Sequence, residues 1–90
     1  MKAQHVIVKG RVQGVFFRDH TQKKALDYTL TGWVQNLPNG SVEALLCGGK
    51  ERVAAMLAWL KQGSPQSRVD TVIVDEIDVN EKFSTFEIRY

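Results

Sequence analysis

Ninety residues, 43% hydrophobic and 24% charged, suit a single domain, residues 1–90, with one core that needs neither disulfides nor metals. No apolar run is long enough to span a membrane, and one cysteine with no apolar leader at MKAQHVIV points to a cytoplasmic protein, not a secreted, stapled one. The formal net charge of +2 is too small for a general nucleic-acid binder, but it is uneven: residues 1–45 carry six basic and three acidic side chains, residues 46–90 six and seven.

In chain order, the β-branched run Gln4 to Lys9 reads as a strand ending at Gly10. Phe17, Thr21, Ala25 and Tyr28 recur at helical spacing, so a first helix is expected from Phe17 to about Tyr28. Leu30 to Leu37 and Ser41 to Cys47 flank Pro38, Asn39 and Gly40; the AsnGly pair predicts a hairpin between two antiparallel strands. Val53, Met56, Leu57 and Leu60 share one helical face over Lys50 to Gln62, and Gly63 and Pro65 supply the stop. Thr71 to Val79 and Phe83 to Tyr90 read as strands. The fold expected is α+β: a two-layer α/β sandwich, ferredoxin-like βαββαβ, with both helices on one face of a largely antiparallel sheet. Cys47, Trp33, Trp59, Met56 and the pair Phe16 and Phe17 are expected to serve packing.

The chemistry concentrates in GRVQGVFFR, Gly10 to Arg18, where two glycines separate a strand from a helix whose first turn carries an arginine. Residues 12–17 can point several amides at one centre, and the helix start adds unpaired amides and a guanidinium fork: a cradle for a phosphate-sized anion. The macrodipole disfavours Arg18 at that helix start unless an anion is present. No GK[ST] follows Gly14, so the loop is not a triphosphate-binding loop. Asn36 ends the strand that runs into the LeuProAsnGly turn. An asparagine before a turn most often hydrogen-bonds its own backbone, and that reading stays open for Asn36 at this point. His20, two residues past Arg18, falls about 200° around the helix and points away from the cradle. The sequence has no residue spacing typical of metal ligands near the loop, so no metal or cofactor is expected.

GRVQGVFFR, His20 to Gln22 and GWVQN (Gly32 to Asn36), with Gly63 to Pro65 and the closing Phe86 to Arg89, resemble the acylphosphatase family over essentially the whole chain. The resemblance implies hydrolysis of carboxyl phosphates such as acetyl or carbamoyl phosphate. It places the phosphate on Arg18 and on the loop formed by Val12, Gln13, Gly14, Val15, Phe16 and Phe17, with Asn36 orienting the attacking water. A small-molecule acyl phosphate is then the substrate, with inorganic phosphate as product and competitor. Neither nucleic acid nor membrane is expected as a partner, and the protein should be a monomer. One departure stands out: Thr29 occupies a helix end where related chains often carry glycine, and it is strained if its backbone is left-handed. A non-catalytic acyl-phosphate or anion-binding module is the alternative; an RNA-recognition domain shares the element order, but SVEALLC lacks the stacking aromatics.

Overall fold

The computed structural model describes residues 2–90. In chain order it contains β1 (Lys2–Arg11), α1 (Phe17–Asp27), β2 (Thr31–Asn36), β3 (Val42–Cys47), α2 (Lys50–Gln62), β4 (Arg68–Asp78) and β5 (Phe86–Arg89). The five strands form one sheet in the order β4-β1-β3-β2-β5. All neighbours are antiparallel except β2 and β5, which run parallel. The expected α+β sandwich is therefore present, with β5 added to the βαββαβ order along the free edge of β2.

Alternation along the strands divides the apolar residues between two faces. Val6, Val8, Val34, Val42, Ala44, Leu46 and Phe86 form the core together with Phe17 and Ala25 of α1 and Val53, Met56 and Leu60 of α2. The Phe17 and Trp59 rings meet across the helix layer at 6.0 Å between centroids. On the opposite face Ala3, Leu45 and Cys47 pack with Trp33, Val79 and Phe83. Trp33 and Cys47 thus serve packing, on the helix-free side of the sheet, and burial pushes the Cys47 thiol pKa up against a hydrogen bond with Thr31.

Element ends differ from the expected ones for local reasons. β1 runs past Gly10 through an irregularity after Lys9, and Gly10 and Arg11 pair with Val69 and Arg68, so β4 begins three residues before Thr71. A side chain at Gly10 would strike the Arg68 carbonyl oxygen, and its φ of +138° lies outside the range of ordinary residues. β2 starts at Thr31 because the Leu30 amide is already used: it donates to the Ala25 carbonyl at 2.9 Å, while Thr29 donates to Leu26 at 3.0 Å. These two bonds make a Schellman motif that ends α1. Its left-handed residue is Thr29, with φ 57°, the conformation anticipated as a strain. The AsnGly turn joins β2 and β3 as expected, with Leu37 donating to the Ser41 carbonyl at 2.8 Å. β5 is shorter than anticipated and begins at Phe86, where its pairing with Gly32 of β2 begins.

Phe16 corrects one expectation. It is not a core residue: 69% of its surface is exposed, while Phe17 is buried. Phe16 caps α1 in a left-handed conformation, φ 58° and ψ 26°, which turns consecutive side chains apart so that only the second enters the core.

Candidate active site

The chain between β1 and α1 forms one wall of a cleft of about 350 Å³, lined by Val12, Gln13, Gly14, Phe16, Phe17, Arg18, Asp19, Asn36 and Tyr90. Gly14 has φ +73°, and a Cβ there would meet nothing within 4 Å, so the position needs glycine for its backbone angle, not for space. No main-chain carbonyl among the described residues takes up the amides of residues 13–17. The first intrahelical bond of α1 is His20 to the Phe16 carbonyl at 3.0 Å, so the first-turn amides of Phe17, Arg18 and Asp19 have no helical acceptor either.

Arg18 is half-buried on the first turn of α1. Its Nη1 donates to the Arg89 carbonyl at 3.2 Å, and the guanidinium carbon lies 4.8 Å from the centre of the Tyr90 ring. Among the described residues it makes no ion pair, Asp19 included, which agrees with the poor mutual reach of adjacent helix residues. The other guanidinium donors remain free for a ligand. Asn36 stands on the opposite wall as the last residue of β2. Its Oδ1 is buried and has no hydrogen-bond partner among the described residues, a costly condition.

Gln13 reaches across between the two walls. Its Nε2 donates to the carbonyls of Leu37 and Ser41, both at 2.8 Å, so the loop is bonded to the hairpin just beyond Asn36. The cleft thus brings together Gln13, Gly14, Phe16, Phe17, Val12, Arg18 and Asn36 of the anticipated site. Val15 is the one loop residue that does not line it; its side chain is in the core. His20 is exposed and lies outside the lining, as its position on the helix implied. Tyr90 and the Arg89 carbonyl were not anticipated at the site, nor was Asp19 as a lining residue. Nothing local marks the contact between Arg18 and a residue 71 positions away. Asp19 carried a weak signal, an acid in the first turn of a helix.

Residues 4–88 match the acylphosphatase family model. The chain belongs to the acylphosphatase family. The acylphosphatase of Syntrophus aciditrophicus is 48% identical over 90 residues, which cover 100% of this chain and 94% of that protein. Among solved structures, the acylphosphatase of Bacillus subtilis superposes with a TM-score of 0.94 at 39% identity, covering 100% of both chains. The acylphosphatase of Coxiella burnetii does so at 0.92 and 45% identity, covering 98% of this chain and 92% of that one. Likeness at this level over the full length of an acylphosphatase carries the activity with it: the protein is an enzyme that hydrolyses acyl phosphates. It has no helix long and apolar enough to cross a membrane among the described residues.

Proposed function

We propose that residues 1–90 act as one domain, a cytoplasmic monomer that hydrolyses acyl phosphates without a metal, using Arg18 and the loop amides for the phosphoryl group and Asn36 for the water. The observation that carries this reading is the pairing, in one cleft, of a guanidinium with free donors and a buried amide oxygen without a partner. Arg18 and the amides of residues 12–17 hold the non-bridging phosphoryl oxygens, where charge is greatest. Water hydrogen-bonds to the Asn36 carboxamide and presents its lone pair to phosphorus. The new P–O bond forms as the bond to the acyl oxygen breaks; the carboxylate leaves with that electron pair, and the water's proton passes to a phosphate oxygen.

Asp19 is the single side-chain carboxylate among the lining residues, fewer than a calcium cage uses, and a magnesium ion there would have to draw its other ligands from water and substrate phosphate. The leaving carboxylate needs no acid, since its conjugate acid has a pKa of about 4. Inorganic phosphate carries the group that the cradle recognises and therefore competes with substrate.

Turnover of acetyl phosphate in a chelating buffer tests the reading, together with two variants. Arg18→Lys is expected to lose both phosphate affinity and rate, because lysine cannot present a planar fork. Asn36→Ala is expected to keep phosphate competition and lose most of kcat. Strict dependence on an added divalent ion, or the opposite assignment of binding and rate to the two residues, overturns it.

A further inference from the structure

We infer that the side chain of Gln13 is a positioning residue for hydrolysis: it bonds the amide loop to the end of β2 and so sets where Asn36 stands relative to the bound phosphoryl group. The inference rests on the reading of Asn36 and the loop above, and it concerns a side chain to which that reading gives no task.

A carboxamide nitrogen carries two hydrogens, and Gln13 Nε2 contacts two carbonyls, Leu37 O and Ser41 O, each at 2.8 Å. Both belong to the mouth of the β2 to β3 hairpin. Ser41 O also accepts the Leu37 amide at 2.8 Å, and Leu37 O also accepts the Gly40 amide at 3.2 Å. The hairpin is therefore closed by its own main chain and capped from outside by the loop. Leu37 directly follows Asn36, so the tie acts one residue from the group that would hold water.

The loop has little else to hold it there. Residues 12–16 lie outside regular secondary structure, and both Gly14 and Phe16 have positive φ. Val12 and Val15 anchor the loop in the core, but apolar contacts do not fix an orientation as two directed hydrogen bonds do. On the other side of the cleft, Arg18 is tied to the Arg89 carbonyl, and Arg89 lies in register with Gln35 of β2. The two halves of the site are thus joined to β2 from both sides, by Gln13 next to Asn36 and by Arg18 through β5.

The donor, and not merely the bulk, is what the geometry requires. Methionine at position 13 keeps the length and most of the volume but has no N–H, and glutamate would set a carboxylate against two carbonyl oxygens. The experiment uses the whole chain with Gln13→Met, Gln13→Glu, Asn36→Ala and the double variant Gln13→Met with Asn36→Ala. It measures acetyl phosphate turnover, inhibition by inorganic phosphate, and circular dichroism as a check of folding.

A displaced Asn36 is expected to cost Gln13→Met about 10- to 100-fold in kcat, and because the same tie steadies the amide loop, the phosphate inhibition constant should also rise, by a smaller factor than kcat falls. Gln13→Glu should lose at least as much, and it carries the test if the methionine variant does not fold. In the double variant the losses should not multiply, because once Asn36 is absent there is nothing left to position. Full kcat in folded Gln13→Met, or losses that multiply in the double variant, overturns the inference while leaving the role of Asn36 intact. Full kcat in Asn36→Ala alone overturns the underlying reading instead, whatever the Gln13 variants do.

Discussion

Arg18 is anchored on the main chain of Arg89, and Arg89 in turn is anchored by its own side chain on Trp33. The Arg89 carbonyl accepts from Arg18 Nη1 at 3.2 Å, while the Arg89 guanidinium lies 4.6 Å from the centre of the Trp33 ring, whose packing partners are on the helix-free face. A residue at the end of a four-residue edge strand is thereby pinned from the side opposite the cleft. Arg89→Ala leaves the carbonyl but removes the stack, worth about 1 kcal/mol at a partly exposed site. It is expected to lower stability by about that amount and, by freeing the end of β5 that anchors Arg18, to lower kcat/KM. Thermal melts alongside acetyl phosphate kinetics check both, and unchanged kinetics in a destabilised variant would separate the strand end from the site.

Substrate selectivity should follow leaving-group basicity. A carboxylate leaves with a conjugate-acid pKa of about 4, an alkoxide with one near that of water, about 16. Each unit is worth about 1.4 kcal/mol if fully felt. Even half of that difference slows an ester by many powers of ten, and the cleft has no histidine to protonate the leaving oxygen. Acetyl or benzoyl phosphate should turn over rapidly while glycerol phosphate and a phosphoserine peptide remain untouched under the same conditions. Comparable kcat/KM on both classes would reveal an acid, and His20 would be the first residue to replace.

Thr29 carries a strain that glycine would relieve. A β-branched residue at φ 57° is a backbone outlier, held there by the two hydrogen bonds that end α1. Thr29→Gly removes the side-chain clash and also loosens the unfolded chain, so the net gain should not exceed about 1 kcal/mol. Urea unfolding reads this directly; activity should not change, since Thr29 is exposed and lies outside the cleft.

Glu43 should shape the acid limb of the stability curve. Burial raises its pKa, but hydrogen bonds from His5 at 2.6 Å and Gln35 at 2.5 Å, with the charges of His5 and Arg89, outweigh burial and hold it below its ordinary 4.5. A carboxyl depressed in the folded state adds stability above its unfolded pKa and loses that contribution as pH falls through the folded value. Glu43→Gln is therefore expected to cost about 1–3 kcal/mol near neutral pH and less below about pH 4. Denaturant midpoints measured from neutral to acid pH test this. Parallel curves for the two proteins would mean that Glu43 does not couple folding to protons.

Much of the fold was legible because its signals are local. Val53, Met56 and Leu60 with the Gly63 stop placed α2 at Lys50–Gln62, and AsnGly placed the β2 to β3 hairpin. The Gly10 to Arg18 segment pointed to the cleft in the same way, since a glycine loop entering a helix with a first-turn arginine is a matter of nearby residues. Asn36, by contrast, stood out only beside the family pattern, because an asparagine before a turn most often bonds its own backbone.

The sequence by itself determined the elements, the hairpin and the chemical character of the loop, since periodicity, φ preferences and side-chain type act within a few residues. Tertiary structure alone decided that β5 runs parallel to β2, that Trp33 faces away from the helices, and that Phe16 is exposed beside buried Phe17. It also decided that Gln13 meets Leu37 and Ser41 and that Arg18 meets Arg89. Such contacts join groups 24 to 71 positions apart, and no local preference specifies them. They follow only once the sheet order that buries the whole apolar set brings the strand ends together.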